Sequence, residues 1–288
     1  MSEYTIITDS ACDIKPEILK QWGVPFGSLT FRFEGDEKEY LNYDMSPDDF
    51  YKRMHEGGVA KTAAVNSGTF EILFEEQLKQ GKDVLYLGFS SGLSTTYNSG
   101  RIASQSLKEK YPDRKIIVVD TLAASAGFGL LLYLTVKKKN EGATIEEAAE
   151  FAEKTKLNIC HWFTVDDLVY LKRGGRISPT VAFVGNLLGI KPILHTDNEG
   201  HLINMSKVRG RRTAIQALAQ KYDESAIDTK SGTLFISHGD CIEDAKYLAS
   251  IIKEKHGVDV EIITDVGPVI GAHTGPGVLA FFFVGKER

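Results

Sequence analysis

The stretch Phe89-Ser90-Ser91-Gly92-Leu93-Ser94-Thr95-Thr96-Tyr97 gathers hydroxyls between a buried-type apolar run and a helix-forming segment. The first N–H groups of a helix have no acceptor within it, so hydroxyls and free N–H groups there favour an anion. Ser94 fits equally well as an ordinary helix N-cap. A serine-hydrolase reading is weaker, because Gly92-Leu93-Ser94-Thr95-Thr96 lacks the second glycine of a nucleophile elbow. Lys61-Thr62 stands in an expected loop ahead of a helix and could bring a second hydroxyl to the same sheet edge; alone, Thr62 also fits a surface or capping role. Asp9, in Thr8-Asp9-Ser10, follows the first expected strand at its carboxyl end, where open α/β sheets collect ligand groups. It suits a base or metal ligand, and equally a turn-stiffening acceptor of backbone N–H groups.

Two later segments also carry chemistry. From Lys172 to Arg212 eight basic residues, Lys172, Arg173, Arg176, Lys191, Lys207, Arg209, Arg211 and Arg212, face only Asp197 and Glu199. That bias points to an anionic ligand or partner, or to a solvated basic face. The glycines of Lys172-Arg173-Gly174-Gly175-Arg176 permit close backbone approach, and the planar arginine charge suits carboxylate or phosphate. Gly267 to Gly277 packs four glycines, two prolines and His273 into a loop of prescribed shape. His273 fits a phospho-acceptor, an acid or base, a donor to an oxyanion, or a structural histidine.

The elements that must position these groups follow from patterning. Strands are expected at Tyr4–Asp9, Val24–Phe33, Asp83–Phe89 and Lys115–Val119, alternating with helices at 16–22, 46–55, after Asn66-Ser67, from Ser94 to about Tyr111, and at 123–138. That order predicts a parallel sheet. Thr144 with Glu147 reads as a capping box. Beyond it, Cys160–Thr164, Ile193–Thr196, Leu202–Val208, Thr233–Ser237, Asp259–Ile263 and Val278–Val284 have strand character, and Asp197-Asn198-Glu199-Gly200 is a turn between two of them. The fold expected is α/β with two domains: an N-terminal parallel-sheet domain over 1–160 and a C-terminal mixed-sheet α/β domain over 161–288, with the ligand site near their interface.

Composition narrows the function. The chain has 288 residues, 42% hydrophobic and 25% charged, which is globular composition, and its net charge of −5 argues against bulk nucleic-acid binding. Cys12, Cys160 and Cys241 are odd in number and unclustered, so neither a disulfide framework nor a zinc site is indicated and no metal is expected. With no signal-like N-terminus, and with Leu122–Val136 too short to span a bilayer, a cytoplasmic protein with a buried helix is expected.

Taken together, Thr8-Asp9-Ser10-Ala11-Cys12-Asp13, Leu93-Ser94-Thr95-Thr96-Tyr97, Leu171 to Ser178, Ile190-Lys191-Pro192 and His273-Thr274-Gly275-Pro276-Gly277 resemble, in order along the whole chain, the DegV family of bacterial fatty-acid-binding proteins. The resemblance implies a non-catalytic, lipid-binding subunit of a fatty acid kinase that holds one long-chain fatty acid in a tunnel. A separate ATP-dependent kinase subunit would phosphorylate the bound carboxylate, and the acyl-phosphate would stay on the carrier for phospholipid synthesis. Thr62, Ser94 and the N–H of Thr95 would then bind the carboxylate, with Arg176 and His273 near the head group or engaging the kinase. Lys207, Arg209 and Arg211 would form a docking face for the kinase, with transient contact to an acyltransferase or membrane; the bound fatty acid would be a ligand, with no cofactor.

The chain departs from the family pattern at Ala63, Ala64 and Val65, where Ser, Gln and Pro are usual, and at Thr95, where Gly is usual. Candidate walls for the acyl chain are Val181 to Ile190 and Phe281-Phe282-Phe283, although most of these residues also suit ordinary core packing. The rival reading is a phosphocarrier or phosphotransfer enzyme using His273 or Asp9.

Overall fold

The computed structural model describes residues 3–177 and 189–288. In chain order the elements are β1 (Tyr4–Asp9), α1 (Pro16–Gln21), β2 (Phe26–Gly27), β3 (Thr30–Phe33), β4 (Tyr40–Leu41), α2 (Pro47–His55), β5 (Ala60–Ala63), α3 (Ser67–Lys79), β6 (Asp83–Gly88), α4 (Thr96–Lys110) and β7 (Ile116–Asp120). There follow α5 (Ser125–Asn140), α6 (Ile145–Thr155), β8 (Ile159–Thr164), α7 (Val169–Arg173), β9 (Ile190–Thr196), β10 (Leu202–Arg209) and α8 (Arg211–Ser225). The chain ends with β11 (Phe235–His238), α9 (Ile242–His256), β12 (Ile262–Asp265), α10 (Pro268–Thr274) and β13 (Leu279–Val284).

Three sheets form among the described residues. The expected parallel sheet has the order β2-β1-β6-β7. Its central strands Tyr4–Asp9 and Asp83–Gly88 are buried at every position, as strands covered on both faces must be. The mixed sheet has the order β10-β9-β8-β13-β11-β12, antiparallel except for β11 with β12. A third, antiparallel sheet, β4-β3-β5, was not expected. Its formation splits the single strand read at Val24–Phe33: Phe26-Gly27 pairs with β1, while Thr30–Phe33 turns away to pair with β4 and β5.

Period-two alternation sorts the mixed sheet's side chains onto two cores. Phe163, Leu194, Phe235, Ala280 and Phe282 join the large cluster that also contains Ile6, Leu85 and Leu130. Trp162, Ile193, Ile236, Phe281 and Phe283 join a second cluster with Leu218 of α8 and Leu248 of α9 on the opposite face. Helix α5 lies between the two large sheets and is buried from Ser125 to Leu132, which explains an apolar run without a polar stripe. Glycines make its close approach feasible: a Cβ on Gly127 would overlap His161 and Phe282, and one on Gly129 would lie 2.7 Å from Ile14.

Among the described residues, no helix is long and apolar enough to cross a membrane and no cluster of His, Cys, Asp or Glu could hold a metal ion. Capping chemistry sets several helix starts as read from sequence: Ser46 accepts from Asp49 N–H, Asn66 from Thr69 N–H, and Thr144 with Glu147 completes a capping box.

Candidate functional site

A cavity of about 480 Å³ lies where the parallel sheet, the mixed sheet and the small sheet converge. That volume is within the range of ligand pockets for small molecules. Of the 26 described residues that line it, 15 are apolar, among them Leu29, Phe89, Leu93, Phe163, Leu202, Val266, Val269 and Phe282. The mixed sheet supplies His161, Phe163, Thr196, Ser237, Ala280 and Phe282, all from its inward-facing alternate positions.

All five residues expected at the head group line this one cavity: Thr62, Ser94, Thr95, Arg176 and His273. They arrive from four elements. Thr62 is on β5, opposite Phe31, and not in the loop expected there; the pairing of β3 with β5 fixes it. Ser94 and Thr95 precede α4. Ser94 does not occupy the helix N-cap, which falls on Thr95; its Oγ accepts from Thr96 N–H at 3.2 Å and meets Thr96 Oγ1 at 2.9 Å. Arg176 follows α7 and donates to the carbonyls of Leu93 (3.1 Å) and Gly174.

His273 lies in the last turn of α10, a helix inside what was expected to be an irregular loop. Proline at its first position and Gly275 at its C-cap, with φ of 76°, delimit it. The imidazole Nε2 is 2.8 Å from Thr62 Oγ1. Its Nδ1 is buried with no partner among the described residues, against Gly174, where any Cβ would overlap the ring. Glycine at 174 is therefore required by the histidine, so the close approach that it permits is to the imidazole and not to a ligand.

The electrostatics favour an anion. Burial and then the neighbouring Arg176 charge push the His273 pKa down to about 4, so the ring is neutral near pH 7. When Nε2–H donates to Thr62 Oγ1, the threonine hydroxyl hydrogen is free to point into the cavity. Arg176 is half-buried, which lowers its pKa, and it has no carboxylate partner among the described residues. Unpaired, partly desolvated guanidinium groups are costly, and a bound anion relieves that cost.

The deeper polar groups are mostly hydrogen-bonded, although His161 Nε2 is buried with no partner among the described residues. Ser125 donates to Asp13 at 2.5 Å and meets Ser237 at 3.0 Å, while His161 Nδ1 bonds Ile159 C=O at 2.9 Å. Ser125, Ser237 and His161 were missed in the sequence; only the alternation within Ile159–Thr164 and Phe235–His238 could have placed the last two on the inner face.

Asp9 is fully buried and does not line the cavity. Its carboxylate accepts from Ala11 N–H (3.1 Å), Phe89 N–H (2.9 Å) and Tyr86 OH (2.9 Å), and burial raises its pKa to about 6. It is the turn-stiffening acceptor. Lys207 and Arg209 are exposed on the edge strand β10, away from the cavity. Arg211 bonds Asp244 at 2.8 Å and Lys191 pairs with Asp166, so part of the basic stretch is neutralised internally. The expected wall Val181 to Leu188 lies outside the described residues. Of the three phenylalanines, only Phe282 faces the cavity; Phe281 and Phe283 point to the opposite core.

A family model described as DegV, an uncharacterised protein family, matches residues 3–286. The chain is a member of the DegV family. A DegV domain-containing protein of Clostridium perfringens is 43% identical to it over 289 residues, covering 100% of this chain and 99% of that one. A DegV lipid-binding protein from Thermotoga maritima superposes with a TM-score of 0.86 at 31% identity, over 99% of both chains. A DegV family protein from Thermus thermophilus, described by its fatty acid binding, gives a TM-score of 0.88 at 28% identity, over 98% of this chain and 99% of that one. The DegV match therefore spans nearly the full length of the chain.

Proposed function

We propose that this DegV protein binds a long-chain fatty acid, its carboxylate held by the hydroxyls of Thr62 and Ser94 and the N–H of Thr95, with Arg176 and His273 beside it. The observation that carries the reading is a mainly apolar cavity holding a half-buried Arg176 that has no anionic partner among the described residues. The fatty acid and lipid binding of the Thermus and Thermotoga proteins supports it. Burial of a chain of about 16 carbons contributes on the order of 10 kcal/mol gross, so the chain dominates affinity and the polar groups set orientation.

The protein is read as a carrier, not an enzyme. In this reading a separate kinase subunit brings ATP, an oxygen of the bound carboxylate attacks the γ-phosphorus, ADP leaves, and the acyl-phosphate stays in the cavity until an acyltransferase or membrane receives it. Lys207 and Arg209 form the docking face, in a cytoplasmic setting, where charges at a rim mainly raise association rates. The division expected at residue 160 would fall inside β8, which begins at Ile159 and pairs along its length with β13, so we place it before that strand, between α6 and β8.

Native mass spectrometry of the purified protein, followed by solvent extraction, tests the binding. One fatty acid per chain is expected; an empty protein that also fails to take up added palmitate overturns it. Incubation with ATP or phosphoenolpyruvate alone is expected to leave no covalent phosphate, and labelling of His273 would favour the phosphocarrier.

A further inference from the structure

Helix α10 delivers His273 to the cavity, yet its start brings no side-chain cap of its own: Gly267 is the N-cap and Pro268 the first residue. Two N–H groups at that end are instead taken by side chains from the first 42 residues. Asp13 Oδ1 accepts from Gly267 N–H at 3.0 Å, and Asn42 Oδ1 accepts from Val269 N–H at 3.0 Å. Asp13 and Asn42 are 3% and 1% exposed, so neither acceptor can be replaced by bulk water.

Both caps are themselves fixed. Asn42 donates Nδ2 to Ser10 C=O at 3.3 Å, and its own N–H goes to Leu29 C=O at 3.0 Å. Asp13 accepts from Ser125 OH through Oδ2, and its carbonyl accepts from Thr264 OH at 2.9 Å. Asp13 holds a left-handed backbone, φ 51°, and its hydrogen-bond partner Ser125 does the same at φ 52°. Non-glycine residues keep that conformation only where surroundings impose it. The space is equally tight: a Cβ on Gly267 would lie 2.9 Å from both Asn42 Nδ2 and Asp13 Oδ1.

We propose that Asp13 and Asn42 are positioning residues, clamping the N-terminus of α10 so that His273 at its other end stays on Thr62. The helix has seven residues, a rod of roughly 10 Å, so a displacement at one end reaches the other nearly undiminished. A shift of about 1 Å is enough to break the Thr62–His273 bond. The consequence for ligand binding rests on the carboxylate reading of this site; the positioning itself does not.

The test uses the full chain, free of fatty acid, with His273 titrated by NMR. Asn42→Ala and Asp13→Ala are expected to release the ring, raising its pKa by a unit or more toward the ordinary value. Asp13→Asn keeps the acceptor for Gly267 N–H and is expected to leave the titration unchanged. Asn42→Ser, whose hydroxyl stops short of Val269 N–H, provides a milder second variant. A folded alanine variant with wild-type His273 titration overturns the proposal. So does loss of folding in all four variants, which marks the two residues as purely structural. Palmitate and hexadecanol affinities complete the test. A shifted His273 with a tenfold loss for palmitate only supports both readings; a shifted His273 with unchanged palmitate affinity keeps the clamp and removes the carboxylate reading.

Discussion

Replacing Thr62 by valine removes one hydroxyl at nearly constant volume and isolates its role. A hydrogen bond to a charged group contributes about 1.5–3 kcal/mol, so palmitate affinity should fall roughly 10- to 150-fold. Because chain burial supplies on the order of 10 kcal/mol gross, binding should remain measurable. Hexadecanol, which buries the same chain without a carboxylate, is the internal control: the wild type should prefer palmitate, and the variant should lose most of that preference. Isothermal calorimetry with both ligands gives the ratio directly. The substitution also strips His273 Nε2 of its partner at 2.8 Å, so a modest drop in melting temperature is expected and has to be measured alongside. A valine variant that keeps the palmitate-to-hexadecanol ratio of the wild type would refute the assignment of Thr62 to the carboxylate.

Gly174→Ala should drive the His273 ring from Thr62, because the new Cβ would overlap Nδ1; palmitate affinity should fall at least as far as in the valine variant, as read by the same calorimetry. Burial raises the Asp13 pKa to about 7 from an ordinary 3.8, so the folded state binds more protons between those values and stability falls as pH rises through that window. Asp13→Asn should therefore gain a few kcal/mol at most over the wild type in denaturant melts above pH 7, a gain that shrinks as pH falls and vanishes below the ordinary carboxylate value. His273 has the opposite sign: its pKa is depressed from 6.5 to about 4, so its contribution is present above 6.5 and is lost as pH falls toward 4. His273→Gln should flatten the melting-temperature profile across that interval. Reversing Lys207 and Arg209 to Glu should slow partner-dependent acyl-phosphate formation, most at low salt, and leave palmitate affinity unchanged.

The parallel sheet was legible because strands buried on both faces are continuous apolar runs, as in Tyr4–Asp9 and Asp83–Gly88, and because caps such as Thr144 with Glu147 are local chemistry. The small sheet was not, since β4 is two residues long and β5 reads Ala-Lys-Thr-Ala; its strands exist through pairing with Thr30–Phe33 and not through propensity. Helix α10 was hidden for a related reason. Its glycines and prolines signal a loop, and the acceptors of its first N–H groups, Asp13 and Asn42, stand more than 220 residues away in sequence.

The same contrast separates the residues of the site. Ser94 and Thr95 announce themselves by standing where an apolar strand gives way to a helix, and Arg176 by its glycine neighbours. Thr62 and His273 carry no local signal that they meet, because their contact is created by two elements that each require distant partners. Besides the apolar core that both halves share, a chain of polar bonds runs through the cavity wall: Ser125 to Asp13, Asp13 to Gly267, Asn42 to Val269, and at the far end His273 to Thr62. Buried hydrogen bonds of this kind add little net stability when complete and are costly when broken, so they fix geometry more than they hold the fold. Under the carrier function proposed above, affinity comes from an undirected apolar chain, and presentation of the carboxylate in one orientation needs that geometry. It follows that substitutions along this chain of bonds should degrade presentation to a kinase more than they degrade uptake of the lipid.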